Sequence, residues 1–398
     1  MTAPRQSGTA ALLLSAAMMN VAYTMLVPLV PELTGRFDMS ALEVAAAFSG
    51  FALAKALVQP IGGILVDRTS RPQVIGFVGL TLTAVTVVGL AFATAGWQVL
   101  SWRLAWGVAE GLTMPVLYQL ASSLGARSRF GTARVMGWFG GCCTAGMVLG
   151  PAVVGLLHPF LGFTGVFLAG AAVTMTGGVL LLGLRVAPEP VAPPPVPAGR
   201  GRAVRTLVVL VGLFAVVDLV NNALFAALEP VLPLHLDDVT GNGVAYTSVL
   251  YTAGLAVFMT VAMTCARFVE SRPLLVISAY AFGAEAIGLT AVGLFDGVVA
   301  MCAGLLLFMT AEPVLYLVAR QGVNLVPRHQ LGRAFGAFGL VSDIGFILGP
   351  VLGAVAYAGL GTPAFLVMAV VAAVSAVGVA LLRKLPGRLL ATREPVDA

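Results

Sequence analysis

The chain contains 398 residues, of which 59% are hydrophobic and 10% are charged, and its mean hydropathy is +0.99. Soluble domains are about 45–50% apolar and about 25% charged, so a soluble fold could not bury this much apolar surface and the solvent must be lipid. The pI near 9.3 does not indicate a nucleic-acid-binding protein, because the basic residues form neither a patch nor a run with interleaved aromatic residues.

Apolar segments long enough to cross a bilayer, which takes about twenty residues, follow one another along the whole chain. The first runs from Ala10 to about Leu33, which is too long for a signal peptide and leads directly into the next segment. The twelve segments are centred near residues 20, 53, 84, 109, 145, 172, 219, 255, 284, 310, 345 and 371. We therefore predict an all-α membrane protein with twelve transmembrane helices.

One long connection interrupts the series, at residues 185–205 with the sequence RVAPEPVAPPPVPAGRGRAVR. Its proline run cannot continue a helix and is typical of a semi-rigid linker. We predict a six-helix bundle at residues 1–184, a cytoplasmic linker at 185–205, and a second six-helix bundle with a short cytoplasmic tail at 206–398.

Basic residues are distributed asymmetrically between the two sides of the predicted membrane. Lys55 and Arg103 lie within spans and Arg36 lies in an outer loop, whereas the other nineteen of the 22 lysines and arginines lie in the termini, the linker and the loops on one side. Positively charged loops stay in the cytoplasm. The pattern predicts a multi-pass protein of the cytoplasmic membrane with both termini in the cytoplasm.

Short motifs recur at an offset close to 200 residues. LGPAVVGLL at 149–157 recurs as LGPVLGAVA at 348–356, and PVLY at 115–118 recurs at 313–316. The tripeptide SRP and a pair of prolines at the ends of spans 1 and 7 recur in the same order. Parallel repeats of six helices with binding sites near the midplane are a transporter architecture.

Lys55 lies in the middle of the second span, in the segment LAKALVQPIGGILVDRTSRP at 53–72. A lysine in the hydrocarbon region costs at least about 2.5–3.5 kcal/mol, so such a residue usually faces the protein interior or a wet cavity. The alternative is that the side chain extends to the membrane surface.

The end of that segment, GILVDRTSRP at 63–72, resembles the signature between helices 2 and 3 of the major facilitator superfamily. The matching residues are Gly63, Asp67, Arg68 and Arg71. The resemblance implies that Gly63 allows a close helix contact and that the charges latch the cytoplasmic helix ends in one of two states. The alternative is a solvated turn.

Arg103 and Gly107, in WRLAWGVAEG, resemble the helix 4 signature of the same superfamily. Glu110 follows Arg103 by seven residues, which places both side chains on one face of the helix. The alternative to a functional role is a structural ion pair or a hydrogen-bonded helix contact.

Gly146, Gly150, Pro151 and Gly155, in GMVLGPAVVG, resemble the helix 5 signature associated with antiporters of that superfamily. The resemblance implies export. Small residues spaced by about four positions also allow two helices to pack closely, so packing alone would give the same pattern.

A narrower resemblance, to vesicular monoamine transporters and their bacterial drug:proton antiporter relatives, depends on embedded polar residues in both halves. The helix 1 aspartate of those proteins falls on Met19, and their helix 10 aspartate is approximated by Glu312. The residues that carry the resemblance are Asn20, Lys55, Gln59, Asn222, Glu229, Tyr251 and Asp343. The resemblance implies that these positions bind substrate or couple protons.

Acidic residues outnumber basic residues within the predicted spans. Spacings of four and seven residues place Asp218, Asn222 and Glu229 on one face of span 7. The embedded acids are Glu110, Asp218, Glu229, Glu285, Glu312 and Asp343, against Lys55 and Arg103. Burying this much uncompensated charge is prohibitive, so some acids must be protonated and can exchange protons. Individual acids, above all Glu285 and Asp218, could instead cap helices or pair locally.

These observations predict a proton-coupled antiporter that exports a small amphipathic, cationic or zwitterionic drug or metabolite. An uptake symporter for a nutrient is the alternative, and a non-transporting membrane sensor is a more distant one. An enzyme is not expected, because the sequence has no metal-spaced His/Cys cluster. ATP-driven transport is not supported either, because the sequence has no phosphate-binding Gly-Lys-Ser/Thr loop. We expect no metal or other cofactor, a proton gradient as the energy source, substrate, protons and lipid as partners, no nucleic acid, and a monomer.

Overall fold

The computed structural model describes residues 4–184, 202–295, 297–325 and 331–383. Every regular element in these ranges is a helix. Most of the predicted linker, at 185–201, and the predicted C-terminal tail from residue 384 lie outside the described residues.

The helices of the first half begin with α1, which a short 3-10 turn at Val27–Leu29 joins to α2. The prolines predicted at the end of the first span lie in this turn and at the second residue of α2. The bounds are α1 Pro4–Met25, α2 Val30–Phe37, α3 Ala41–Arg68, α4 Pro72–Ala91, α5 Gly96–Arg127 and α6 Thr132–Leu182.

The helices of the second half follow in the same manner, with one short additional helix, α9, between spans. The bounds are α7 Arg202–Thr240, α8 Gly243–Thr264, α9 Ala266–Glu270, α10 Leu274–Leu294, α11 Val298–Val323, α12 Leu331–Leu360 and α13 Ala364–Leu381.

The described helices account for all twelve predicted spans. Ten segments are long and apolar enough to cross a membrane. One of them, Arg134–Leu182, supplies two spans, because α6 is broken at Gly162, whose φ of 61° is accessible to glycine. Helix α5 has 32 residues and is also long enough to span, but it is less apolar because it contains Arg103, Glu110 and Gln119.

By their internal contacts, the residues group into two compact units. The first comprises the described part of 1–191 together with Glu229–Ala256, and the second comprises the described part of 192–228 together with the described part of 257–398. Helices α7 and α8 therefore each contribute one part to each unit. The predicted boundaries at 184 and 206 stay a prediction.

In the first unit, glycines of α6 bring its backbone against α1. A Cβ atom at Gly146 would overlap the carbonyl group of Ala17, and one at Gly150 would overlap the side chain of Thr24. The Thr24 hydroxyl donates a hydrogen bond to the Met147 carbonyl at 2.8 Å. The small residues predicted in span 5 therefore form a close helix contact.

In the second unit, α12 packs against α7 in the corresponding way. A Cβ atom at Gly345 would overlap the Leu219 carbonyl oxygen, and one at Gly349 would overlap the carbonyl oxygen of Ala223. Gly349 is the repeat partner of Gly150. The predicted internal repeat thus has a structural counterpart in matching glycine contacts.

The glycine contact expected at the end of α3 lies one residue earlier than the motif suggested. A Cβ atom at Gly62 would lie 2.7 Å from the Gly111 carbonyl oxygen, whereas a Cβ atom at Gly63 would have no neighbour within 4 Å. The expectation for Gly63 was wrong, because successive helical residues point about 100° apart and only one of the pair can face α5.

Candidate functional site

Lys55 forms an ion pair with Glu110 across the contact between α3 and α5. The Lys55 Nζ atom lies 2.6 Å from Glu110 Oε1, and the carboxylate side chain is only 5% exposed. Gly111, next to Glu110, allows this approach, because a Cβ atom there would lie 2.7 Å from the Lys55 carbonyl oxygen. The lysine is thus held against a buried acid of the neighbouring helix.

Arg103 and Glu110 form no direct ion pair with each other within α5, whereas the alternative of a structural ion pair is met for Glu110 by Lys55. Seven residues correspond to about 10 Å along a helix, which is too far for a direct contact between side chains that extend in the same direction. Glu110 Oε1 instead accepts from Lys55, and its Oε2 atom has no hydrogen-bond partner within the part of the chain that the structure describes.

Arg103 is 1% exposed and is surrounded by aromatic rings. Its guanidinium carbon lies 4.3 Å from the centroid of Phe51 and 5.1 Å from the centroids of Phe48 and Trp106. These distances are typical of favourable cation–π contacts. No guanidinium nitrogen has a hydrogen-bond partner among the described residues. Its five N–H donors are therefore available to an anion or another acceptor.

Glu229 lies close to this guanidinium, on α7. It is 3% exposed, and the Tyr23 hydroxyl donates to its Oε1 atom at 3.3 Å. Arg103 is close enough to interact electrostatically with both Glu229 and Glu110. Tyr251 of α8 is another buried neighbour of Glu229, and its hydroxyl has no partner in the described ranges. The Arg103 cluster consists of Tyr23, Lys55, Arg103, Glu110, Glu229 and Tyr251.

A second set of polar residues lies in the second unit, centred on fully buried Asp218 of α7. Arg320 Nη1 donates to its Oδ1 atom at 3.0 Å, and Asn222 Nδ2 donates to Oδ2 at 3.3 Å. The Ser342 hydroxyl, on α12, also donates to Oδ2. This Asp218 network satisfies the carboxylate with three donors from three helices.

Arg320 corrects the predicted charge distribution. It was assigned to a cytoplasmic loop, but it lies within α11 and its guanidinium carbon is 3.3 Å from the centroid of the Tyr316 ring. The apolar segment runs from Val298 to Val323 and thus includes Arg320. Arg320 is therefore an embedded basic residue that the sequence prediction did not include.

Two further acids of the second unit have few partners. Glu312 of α11 accepts from Asn221 Nδ2 at 3.2 Å on Oε1, while its Oε2 atom has no partner in the described residues. Glu285, in the middle of α10, is fully buried, and neither of its carboxyl oxygens has a described hydrogen-bond partner. The alternative that Glu285 caps a helix is therefore wrong.

The remaining predicted binding residues are half-buried. Half-buried Asn20 donates to the Ala16 carbonyl of its own helix at 2.8 Å. Gln59 is half-buried one turn after Lys55, and Asp343 is half-buried in α12 next to Ser342. Asp218 and Asn222 lie on one face of α7, as predicted, and share a hydrogen bond. Glu229, on the same helix, belongs to the first unit.

The predicted gate residues lie at the ends of α3 and α4 and within α5 and α6. Asp67 and Arg68 end α3 and Arg71 precedes α4, and all three are exposed. Gly107 and Pro151 are buried, and a Cβ atom at Gly107 would overlap the Phe51 carbonyl. Gly155 faces Ser248 of α8, whose Cβ atom would lie 3.0 Å from an added Cβ. Their gating role stays a prediction.

A pocket of about 670 Å³ in the first unit lies apart from the embedded acids. Its walls include Glu32, Arg36 and Asp237, and the His158 ring contacts the Glu32 carboxylate. Gly155 is the predicted site residue in its lining. The pocket does not reach the Arg103 cluster, so we place the chemistry at the buried ionisable residues.

Four residues of these sites escaped the sequence analysis. Tyr23 lies three residues after Asn20, so a search for hydroxyl groups on the same face of α1 would have found it. Asn221 adjoins a predicted residue, as does Ser342. Arg320 follows Glu312 by eight residues, about two helical turns, which is a signal that a longer span assignment would have revealed.

A sequence profile of the Major Facilitator Superfamily matches residues 12–323, well over half of the chain. The chain belongs to the Major Facilitator Superfamily. The predicted family, the twelve-helix fold and the exclusion of an enzyme are confirmed, since the family and its structural neighbours are transporters.

Two bacterial relatives carry the name of a drug exporter. The multi-drug resistance efflux pump PmrA homolog of Lactococcus lactis is 34% identical over 122 residues, which are 31% of this chain and 29% of that protein. The multi-drug resistance efflux pump PmrA of Streptococcus pneumoniae is 30% identical over 149 residues, 36% of each chain. The matched region thus spans about a third of the length of these relatives.

Solved structures share the fold over the whole chain. A bacterial homolog of the human lysosomal transporter Spinster, in an inward-facing and unoccupied conformation, has a TM-score of 0.78 at 16% identity, with 100% of both chains covered. A mutant of the nucleoside transporter NupG has a TM-score of 0.77 at 14% identity, covering 94% of this chain and 99% of its own. This transporter therefore has the fold of its superfamily.

Proposed function

We propose that this transporter is a proton-coupled antiporter that exports a small amphipathic, cationic or zwitterionic compound across the cytoplasmic membrane by alternating access. Two relatives named as multi-drug resistance efflux pumps support export of a drug-like compound. The glycine-rich contact of α6 with α1 supports it further, because it corresponds to the antiporter-like signature of span 5.

The observation that most directly supports proton coupling is the position of Glu229 in the Arg103 cluster. The carboxyl group is buried, accepts from Tyr23 and lies near a guanidinium that has no hydrogen-bond partner among the described residues. An ionised Glu229 is compensated by Arg103, and a protonated Glu229 can still be hydrogen-bonded to Tyr23. The side chain can thus exist in both protonation states, which is what a proton-exchanging group requires.

Exchange of substrate for protons follows if both compete for the Glu229 carboxylate. A cationic substrate that binds the ionised form must displace the proton, and by linkage the proton must displace the substrate. Protons that enter from outside then favour release of the substrate outside. Lys55 contributes by neutralising Glu110, so that the negative charge of Glu229 is not opposed by a second unpaired carboxylate nearby.

Transport into inside-out membrane vesicles, with a panel of dyes and antibiotics, tests the proposal. A proton gradient should drive accumulation by the native protein, and Glu229→Gln should abolish the effect of the gradient. Asp38→Asn is the matched control, because it removes an exposed acid at a φ of 53° that asparagine also tolerates.

The release or uptake of protons on substrate binding distinguishes an antiporter from a symporter. Adding a transported dye to purified protein in weak buffer should release protons, and Glu229→Gln should release fewer. Proton uptake on binding would instead indicate a symporter, and unchanged proton binding at every pH tested would reject coupling altogether.

The proposed orientation, with both termini in the cytoplasm, has its own test. Single cysteines replacing Ser70 and Asn242, introduced into a variant without the native cysteines, should react with an impermeant reagent from opposite sides of the membrane. Both residues are exposed at helix ends. Reaction of both from the same side would contradict the orientation.

A further inference from the structure

The second unit contains four buried oxygen atoms that have no hydrogen-bond donor among the described residues. They are both carboxyl oxygens of Glu285, Oε2 of Glu312 and Oδ1 of Asn221. Glu285 and Asn221 are fully buried and Glu312 is 5% exposed. Buried polar atoms normally have partners, so a group of acceptors without donors indicates that protons or another cation must be held there.

Close packing of α10 on α11 brings the two acids together. A Cβ atom at Gly304 would lie 2.5 Å from the Gly288 carbonyl oxygen, and one at Gly288 would lie 3.2 Å from the Phe308 nitrogen. Gly288 is one turn after Glu285 and Phe308 is one turn before Glu312. The two carboxyl groups interact electrostatically with each other, and α7 contributes Asn221, which donates to Glu312.

Among the described residues, no counter-ion is found next to Glu285. Glu312 is its charged neighbour from α11, and the other charges near Glu312 are Asp218 and Arg320, which bind each other. Helix α13, which packs against α10, contains no ionisable residue. The short α9 adjoins the start of α10, about three helical turns before Glu285.

An ionised Glu285 would therefore be a fully buried carboxylate without a donor or a cation, which is prohibitively unfavourable. A protonated Glu285 gains an O–H donor, and its neighbour Glu312 has an acceptor, Oε2, that lacks a donor among the described residues. Two neighbouring carboxyl groups also cannot both ionise without strong repulsion. Protonation relieves each of these difficulties.

We propose that Glu285 and Glu312, together with Asn221, form a second proton-binding site, separate from Glu229. This proposal rests on the proposed proton-coupled transport and extends it, since the cycle then carries protons at two places. Asn221 positions the Glu312 carboxyl group, and Glu285 and Glu312 hold the proton between them.

Infrared difference spectroscopy on the purified full-length protein, following a pH jump, tests this site without transport. The carbonyl band of the shared protonated carboxyl group should be lost or shifted both in Glu285→Gln and in Glu312→Gln. Asp38→Asn, which removes an exposed acid, should leave the band unchanged. A band that Glu285→Gln does not alter would overturn the proposal.

Two further measurements keep the test decisive. Glutamine is a neutral isostere of protonated glutamate, so Glu285→Gln should melt at the temperature of the native protein; a large decrease would contradict a neutral Glu285. Titration with Na⁺ at constant pH should leave the carbonyl band intact, whereas its loss would assign these oxygens to a metal cation.

The outcome is distinguishable from failure of the proposed function. If the native protein shows no proton-driven dye transport but both substitutions alter the carbonyl band, the antiporter is ruled out and the proton site is kept. Native protein that transports normally, with an unaltered band in Glu285→Gln, would remove only the second site.

Discussion

A double-mutant cycle on the Asp218–Arg320 ion pair should reveal a large coupling within the second unit. Asp218→Asn keeps the shape of the side chain but removes the charge that accepts from Arg320, Asn222 and Ser342. The asparagine amide would also direct N–H groups toward some of these donors. We therefore expect this single substitution to destabilise the protein.

The magnitude follows from the burial of each partner. Breaking a buried ion pair by removing one member typically costs about 3–5 kcal/mol. Asp218 is fully buried, but the Arg320 side chain is 33% exposed and retains its bond to the Tyr316 carbonyl at 3.1 Å, so Asp218→Asn should cost about 3 kcal/mol, the lower limit. Arg320→Gln leaves a fully buried carboxylate without its cation and should cost at least as much.

The double variant removes both charges and should be more stable than the sum of the single effects predicts, by about 1–3 kcal/mol. Melting in detergent can be followed with a thiol-reactive fluorophore, because all four cysteines, including half-buried Cys302, are free. At roughly 2–4 °C per kcal/mol for a unit of this size, Asp218→Asn should lower the melting temperature by roughly 6–12 °C. Additive effects of the two substitutions would refute the pair, and Asp38→Asn should melt like the native protein.

Two further substitutions test the first unit. Lys55→Ala should abolish gradient-driven transport and lower the melting temperature, because it leaves buried Glu110 without this cation. Adding Glu110→Gln should restore the melting temperature but not transport. Equal melting temperatures of the native protein, the single variant and the double variant would contradict a stabilising ion pair. Gly150→Ala should destabilise the contact of α6 with α1 by about 1–3 kcal/mol. Gly140→Ala on the same helix, where an added Cβ meets nothing within 4 Å, should be neutral or stabilise by up to about 1 kcal/mol, and a similar effect of both would contradict the close contact.

Much of the fold could be predicted because lipid imposes a length on every span. Apolar runs of about twenty residues located the helices even where a kink at Gly162 joins two spans into one continuous helical segment. Helix α5 was found although Arg103 and Glu110 lower its hydropathy. Charged residues in a span are unfavourable where they face lipid, but these two side chains are buried inside the protein. A mean hydropathy does not distinguish these two situations.

Partners of the embedded charges were harder to predict, because they come from other helices. Spacing along α5 suggested a relation between Arg103 and Glu110, but the direct partner of Glu110 is Lys55 on α3. A motif likewise specifies that a glycine is present near the end of α3, but whether Gly62 or Gly63 faces α5 depends on the rotation of the helix. Sequence periodicity fixes faces within a helix and leaves open which neighbour each face meets.

The two clusters differ in the kind of atom that lacks a partner among the described residues, and this difference constrains how protons can move. Around Glu229 the unsatisfied groups comprise donors, the Arg103 nitrogens and the Tyr251 hydroxyl, as well as the acceptor Glu110 Oε2. Because donors are among them, Glu229 can ionise without creating an isolated charge. Around Glu285 the unsatisfied atoms are acceptors, so ionisation there would create one. Proton release from Glu229 therefore requires little rearrangement, whereas release from the Glu285–Glu312 pair requires water or a cation to reach it. A transporter built this way would hold its second proton until the surroundings of α10 and α11 open, which ties that proton to the conformational change and not to substrate binding alone.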